Sequence, residues 1–181
     1  MADASVRPGM PDDAAAIARV QAAAWSLRYV GLLPPEDLAA LDSADSADIW
    51  RTAVATPPSP RHRVLVALSG DELVGFAALA PAADPDLVPR LDAEIQALCV
   101  APDRTGSGHG SRLVNASADT LRADGFDHVH VWVTDREADL QAFLEMAGWE
   151  DDGARRSLDL RGDGEVLVDQ VRLRTRIGGQ S

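Results

Sequence analysis

The spacing of apolar positions predicts helices in the first third of the chain and strands alternating with helices after it. Ile17, Val20 and Ala24 recur at helical spacing, and Asp12 stands where an N-cap is expected. The segment 25–33 breaks this pattern, which predicts that the first helix ends there. Two shorter helices follow before a proline-rich stretch, because proline cannot continue a helix.

Runs of apolar and β-branched residues separated by glycine- and aspartate-rich turns predict the strands. Two further helices are expected, one after the glycine-rich loop 105–110 and one after Thr134-x-x-Glu137, which has the spacing of a capping box. This order predicts a single α/β (α+β) domain over residues 1–181, with a core of about 5–175 and a frayed tail at 177–181. It also places one parallel strand–helix–strand step at the centre of a largely antiparallel sheet. The predicted strands cover residues 6–7, 63–68, 73–79, 91–100, 127–133, 154–160 and 165–173.

Composition narrows the class of protein. A chain of 181 residues with 46% hydrophobic and 25% charged residues fits one globular domain. No apolar run approaches the roughly 20 residues of a membrane span, and the first residues lack the pattern of a signal peptide. A single cysteine, Cys99, excludes an internal disulfide. These features favour a cytoplasmic protein.

The charge balance bears on partners. The formal net charge is −12, and every cation is arginine because the sequence contains no lysine. A negative field disfavours nucleic acid and anionic membranes and mildly favours a cationic substrate. The absence of lysine excludes a Walker-type phosphate loop and a lysine Schiff base.

A glycine-rich loop stands between the strand 91–100 and the following helix. Gly106, Gly108 and Gly110 alternate there, and successive N–H groups at a helix start form a cradle for an anion. A dinucleotide-binding fingerprint would need a glycine where Ser111 stands. On the glycines alone, a plain strand-to-helix turn remains the alternative.

The segment around this loop resembles the GNAT superfamily of acetyl-CoA-dependent N-acetyltransferases. The resemblance rests on Glu94, the apolar run 95–100, Pro102, the loop through Gly110 and the helix from Ser111. The stretches 22–34 and 143–149 resemble the family's first two helices with their joining loop and the usual end of its fourth helix. It implies a mixed, largely antiparallel sheet of about six or seven strands, with a splayed parallel pair at its centre and helices on both faces.

The same resemblance implies roles for individual residues. Glu94 would be the general base, and the backbone N–H of Leu98 would hold the thioester oxygen. The acetyl-CoA site would comprise Leu98, Cys99, Val100, Arg104, Thr105, Gly106, Ser107, Gly108, His109, Gly110 and Ser111.

Departures from the family pattern occur at three positions. Thr105 stands where glutamine or arginine is usual, Leu144 where a tyrosine commonly acts as general acid, and Glu137 where an asparagine is common. No proton donor for the leaving thiolate is therefore assigned.

Aromatic side chains are the candidates for the acceptor site. Trp25 and Tyr29 either line the acceptor cleft or belong to the core, and Trp132 is a candidate for the same site. His128 and His130 share a strand face with Trp132, and they either contribute to the acceptor site or are half-buried residues of the strand. No acidic partner stands at ligand spacing, so no metal site is expected.

The resemblance thus implies an acetyl-CoA-dependent N-acetyltransferase that acts on an amine of a small molecule or of a peptide or protein. A non-catalytic acyl-CoA-binding regulatory module is the alternative, and an acetyltransferase toxin acting on charged tRNA is disfavoured by the acidic composition. No metal is expected, and the unpaired edges of the sheet make a homodimer plausible.

Overall fold

A seven-stranded sheet with helices on both faces forms the protein in the computed structural model, which describes residues 4–179. The strands lie in the order β1-β2-β3-β4-β5-β7-β6, and β4–β5 is the parallel pair among antiparallel neighbours. The predicted fold class is therefore confirmed. The elements are β1 (Ala4–Pro8), α1 (Ala14–Arg28), α2 (Pro35–Ala40), α3 (Ala44–Ala55), β2 (Arg63–Ser69), β3 (Glu72–Pro81), β4 (Asp92–Val100), α4 (His109–Ala123), β5 (His128–Thr134), α5 (Ala138–Met146), β6 (Glu150–Asp159) and β7 (Leu167–Arg176).

Apolar side chains on the two faces of the sheet form two clusters. On one face, α4 and α5 contribute residues such as Leu113, Leu121 and Leu144, all fully buried. On the other face, Ile17 of α1 packs with Phe76, whose ring meets Trp50 of α3 edge-on at 4.9 Å between centroids. Burial of apolar area is the main stabilising term in such a layered domain.

A β-bulge interrupts β4 beside the centre of the sheet. Ala97 pairs with Ala78 of β3, and Ile95 pairs with Leu79, so Gln96 has no partner. The extra residue exchanges the faces of the side chains that follow it. Ile95 therefore shares a face with Leu98, and both belong to the cluster of α4 and α5.

The parallel pair opens beyond the bulge. Pairing between β4 and β5 runs from Asp92 with His128 to Ile95 with Val131 and ends there. Both strands continue, β4 to Val100 and β5 to Thr134, but they no longer pair with each other. The structure thus has the splayed central pair that the sequence resemblance implied.

Element boundaries differ from the sequence predictions in several places, including β6, which begins at Glu150 and not at 154, and β7, which ends at Arg176 and not at 173. Asp13, not Asp12, directly precedes α1, and its carboxylate accepts the N–H of Met10 at 2.7 Å. Helix α1 continues to Arg28, through the segment where a break was predicted. The predicted frayed tail is wrong for Ile177, which is buried and donates its N–H to the Asp127 carbonyl at 2.8 Å. Residues 180–181 lie outside the described residues.

No helix within residues 4–179 combines the length and apolar character needed to cross a bilayer.

Candidate active site

A cleft of about 650 Å³ opens where β4 and β5 separate. Its walls come from β4, from the glycine-rich loop, and from the facing ends of α1 and α5. This volume is within the range of small-molecule sites in proteins. The lining residues include Leu98, Val100, Thr105, Gly110, Arg28, Arg136, Glu137, Leu140 and Phe143.

The edge of β4 presents free backbone groups to this cleft. Ala101 donates its N–H to Val74 of β3 at 2.8 Å, and hydrogen-bonded pairs alternate along an antiparallel ladder. Cys99 therefore pairs with Phe76, whereas the N–H and C=O groups of Leu98 and Val100 point away from β3 toward the gap.

This alternation corrects one predicted contact. The backbone of Cys99 is used within the sheet, and a Cβ placed on Gly75 would lie 2.9 Å from the Cys99 carbonyl oxygen. The thiol is buried against the α1 face, and burial raises its pKa to about 11. Cys99 therefore offers the cleft neither a backbone group nor a nucleophile.

The glycine-rich loop turns directly into α4. Gly106 and Gly108 have φ angles of 74° and 81°, in the left-handed region that favours glycine. Gly108 is the N-cap of α4, and the first N–H bonded within the helix is that of Arg112, to Gly108. The N–H groups of the preceding turn, 109–111, have no helical acceptor, as at any helix start. With the helix dipole they make this end of the cleft suited to an anion.

Arginine side chains flank the loop but are engaged elsewhere. Arg104, expected to contact the cofactor, pairs with Glu72 at 2.6 Å and lies near Asp103 at 3.6 Å. Arg112 donates to the carbonyl of Ser107 at 3.2 Å and so covers the loop. The anion-binding character of the loop therefore rests on its backbone.

The imidazole of His109 faces inward. It is 4% exposed, and its Nδ1 has no hydrogen-bond partner among the described residues. The predicted cofactor contact of His109 is thus restricted to its backbone N–H.

Glu94 lies on β4 two residues before Gln96, the extra residue of the bulge, and beside His130 of β5. Burial raises the pKa of its carboxyl group. The positive charges of Arg156 and Arg172 oppose that rise, and the negative charge of Asp84 adds to it. A carboxylate with a raised pKa in a partly desolvated position is a suitable general base.

A charged network supports the sheet beside Glu94. Arg172 of β7, 5% exposed, donates to Asp84 at 3.0 Å, to Asp152 at 2.7 Å and to Asp86 at 2.5 Å. It ties the β3–β4 loop to β6 and β7, and it holds the pKa of Asp86 down at about 2.

The predicted acceptor aromatics fall into three environments. Trp25 is half-buried and lines a hollow of about 360 Å³ between α1, α2 and the β6–β7 turn. Tyr29 is 2% exposed, and its ring meets Trp25 edge-on at 5.4 Å. Because it is enclosed by the core, the prediction that Tyr29 lines an acceptor site is wrong. Trp132 donates to Asp84 at 2.9 Å and carries the Arg156 guanidinium on its ring at 4.2 Å.

The two strand histidines share one carboxylate that the sequence prediction missed. Asp92 Oδ1 lies 3.3 Å from His128 and 3.2 Å from His130. Asp92 and His128 begin adjacent parallel strands far apart in sequence, so only the register of the pair brings them together. No group of three or more His, Cys, Asp or Glu in residues 4–179 has an arrangement that could hold a metal ion.

An ion pair between Arg28 and Glu137 joins the α1 and α5 sides of the cleft and was not predicted. The two side chains meet at 2.6 Å, with 19% and 11% of their surfaces exposed. Glu137 also accepts from the N–H and hydroxyl of Thr134, at 3.2 and 3.3 Å. The predicted capping box is therefore only half formed, because the Thr134 hydroxyl accepts no N–H from the described residues and Glu137, not Thr134, is the N-cap of α5. Leu144, at the position where a general acid was sought, is fully buried and apolar.

Comparison with known proteins agrees with this geometry. Residues 29–149 match the model of the acetyltransferase (GNAT) family. No curated protein matches the chain in sequence.

Solved structures share the fold at low sequence identity. YncA from Salmonella typhimurium, solved with its cofactor acetyl-CoA, is 16% identical, with a TM-score of 0.74 over 99% of this chain and 96% of that one. The PaiA N-acetyltransferase of Thermoplasma acidophilum, in complex with coenzyme A, is 16% identical, with a TM-score of 0.73 over 96% and 99% of the two chains. A GCN5-related N-acetyltransferase from Rhodopseudomonas palustris is 22% identical, with a TM-score of 0.70 over 97% of each chain.

The family match covers more than half of the chain, and it includes β4, the glycine-rich loop and the α5 side of the cleft, whereas the α1 side, which ends at Arg28, precedes the matched range. The chain therefore belongs to the GNAT acetyltransferase family.

Proposed function

We propose that the protein is an acetyl-CoA-dependent N-acetyltransferase that transfers the acetyl group directly to an amine of a small molecule or of a peptide or protein. The observation that carries the proposal is the free edge of β4 at Leu98 and Val100, which faces a cleft ending at the N-terminus of α4. Acetyl-CoA, when bound, supplies an activated acyl group as a thioester.

The residues of the cleft fit such a co-substrate. Leu98 and Val100 offer the alternating donors and acceptors of an unpaired strand edge, which the two amides of a pantetheine arm can pair with. The N–H groups at 109–111 suit the pyrophosphate. Leu140 and Phe143 provide an apolar wall for the arm. The N–H of Leu98 is the donor closest to the bulge, and it would stabilise negative charge as it develops on the thioester oxygen.

Glu94 would activate the acceptor. An alkylammonium group has no lone pair and an ordinary pKa near ~10, so it must lose a proton before it can attack. Glu94 accepts this proton directly or through a water, and its raised pKa makes it a stronger base than an exposed glutamate. The amine lone pair then forms the C–N bond as the C–S bond breaks, without an acyl-enzyme.

The acceptor would enter beside Trp25. The hollow next to that indole is bordered by Asp37 and Asp163, but Arg161 lines the same hollow and pairs with both carboxylates, at 3.2 and 3.6 Å. The argument for a cationic amine is therefore the net charge of −12.

Calorimetry with coenzyme A, followed by detection of free thiol with acetyl-CoA and an amine panel, tests the proposal. We expect saturable binding, and thiol release that depends on the amine and falls strongly in Glu94→Gln while coenzyme A affinity is retained. Gln96→Glu is the matched control, because it alters charge at the neighbouring exposed position of the same strand. No binding of coenzyme A would refute the proposal.

A non-catalytic acyl-CoA-binding module is the second candidate. Leu144 in place of a proton donor and the engagement of Arg104 by Glu72 favour it. Binding of acetyl-CoA without thiol release across a broad amine panel would support this alternative.

A further inference from the structure

We propose that Arg28 stabilises the departing thiolate of coenzyme A by charge, from the α1 side of the cleft, with Glu137 as the residue that positions it. This inference rests on the proposed function and deepens it. It concerns a residue that the sequence motifs do not mark, and it assigns a group to the leaving thiol, for which no proton donor was found.

The position of Arg28 is the first support. The last residue of α1, Arg28, lines the cleft together with Leu98 and Val100. Its charge acts on the Cys99 thiol, where it opposes the effect of burial on the pKa of that group. Arg28 and Leu98 thus line the same cleft, and the thioester end of the arm would stop at Leu98.

The anchoring of the side chain is the second support. The Glu137 carboxylate pairs with the Arg28 guanidinium at 2.6 Å, and it accepts two hydrogen bonds from Thr134. A guanidinium has five N–H donors in a planar arrangement, so pairing with one carboxylate leaves donors for a second acceptor. Four-fifths of the side-chain surface is removed from solvent, and charge interactions are stronger in such an environment than in water.

Other groups near the cleft do not supply this charge or proton. Leu144 is apolar, and Tyr29 is enclosed in the core, where burial raises the pKa of its phenol. Arg136 also lines the cleft, but it is exposed and only reaches the carbonyl of Val30 at 3.4 Å. Among the described lining residues, Arg28 is the half-buried cation.

The chemistry balances without a proton donor from the protein. The C–S bonding pair goes to sulfur as the amine forms its bond to the acetyl carbon, and Glu94 or a water takes the amine proton. Arg28 compensates the negative charge on sulfur, and the thiolate takes a proton from solvent after it leaves. A fixed cation can replace an acid here because a thiol is already acidic, with an ordinary pKa near ~8.5.

The test measures the pKa of the coenzyme A thiol while it is bound, so it needs no knowledge of the acceptor. Thiolate absorbance in the ultraviolet is followed against pH, with S-methyl coenzyme A as the blank. The protein itself contributes little pH-dependent absorbance near the pKa of the coenzyme A thiol, because burial raises the pKa of both the Cys99 thiol and the Tyr29 phenol.

In the unaltered protein, the pKa of the bound thiol should lie at least about one pH unit below that of free coenzyme A, as expected for an opposite charge within a few ångströms. Arg28→Gln should return it toward the free value, Arg28→Lys should retain most of the decrease, and Arg136→Gln, which removes an exposed cation of the same cleft, should raise it less than Arg28→Gln does. Glu137→Gln should not raise it as far as Arg28→Gln, because the cation remains.

Three results would overturn the inference: an unshifted thiol in the unaltered protein, an Arg28→Gln value equal to that of the unaltered protein, or equal effects of the changes at positions 28 and 136. Failure of coenzyme A to bind at all would instead refute the proposed function, and this inference with it.

Discussion

The substitution Arg172→Met tests whether the charged network beside Glu94 stabilises the fold. Arg172 is 5% exposed and binds three carboxylates, from the β3–β4 loop and from β6. Methionine has a similar length but neither charge nor donors. The change would leave Asp84, Asp86 and Asp152 close together without their shared cation.

The expected loss follows from the burial of the network. Removing one partner from a buried ion pair destabilises a protein by about 3–5 kcal/mol, whereas an exposed pair contributes roughly 0–1 kcal/mol. Two of the three acids retain part of their solvent contact, with 18% exposure for Asp84 and 62% for Asp86, so we expect the lower end, about 3 kcal/mol. That is a large share of a total stability of roughly 5–15 kcal/mol.

Urea denaturation followed by tryptophan fluorescence measures this loss. With a slope of about 2 kcal/mol per molar urea, the midpoint should fall by about 1.5 M. Arg155→Met is the matched control, because Arg155 is 54% exposed and pairs only with Asp151 on the surface of β6. A loss below about 1 kcal/mol for Arg172→Met, or an equal loss in the control, would refute the argument.

The stability difference between the unaltered protein and Arg172→Met should also depend on pH. Arg172 lowers the pKa of Asp86 to about 2 from an ordinary value of 3.8, so this contribution is complete above the ordinary value and disappears as pH falls toward 2. The variant lacks the contribution at every pH. The difference between the two proteins should therefore be largest near neutral pH and shrink below pH 4, where a constant difference would contradict the assignment.

Three further predictions concern the cleft, the proposed base Glu94 and the buried thiol of Cys99. Burial raises the pKa of Glu94, the charge of Arg156 lowers it, and the charge of Asp84 raises it. The fall of kcat/KM at acidic pH should therefore move to higher pH in Arg156→Gln and to lower pH in Asp84→Asn. If both variants shifted it in the same direction, Glu94 would not be the base. Gly75→Ala places a Cβ 2.9 Å from the Cys99 carbonyl oxygen and 3.1 Å from Leu113. We therefore expect the free energy of unfolding in urea to fall by about 1–3 kcal/mol, and calorimetry to show weaker coenzyme A binding. Gly9→Ala, whose closest contact is at 3.4 Å, should change both quantities little. Cys99, with a pKa of about 11, should react with a thiol reagent at pH 8 only after denaturant is added, and rapid reaction of the folded protein would show that the thiol is accessible.

The sequence by itself determined the succession of elements and the region of the site. Apolar periodicity is sufficient for the elements, because it reports which face is buried, and glycines mark the loop before α4. The site itself was assigned by resemblance to the GNAT family, since the glycines alone also fit a plain turn. The same patterns located Glu94 and Leu98 on one strand. Helix ends were less certain, as the continuation of α1 to Arg28 shows, because propensity yields to packing at such positions.

Only the tertiary structure decided which groups meet. The bulge at Gln96 is a mismatch between two strands, so the sequence of β4 alone does not predict it. The bulge nevertheless decides that the Leu98 side chain lies on the same face of the sheet as Ile95. The pair of Arg28 with Glu137 and the network of Arg172 with Asp84 join residues about ninety or more positions apart. Such contacts depend on strand order and on the splay of β4 from β5, and the energy that fixes those comes from burial of the whole core rather than from any local segment.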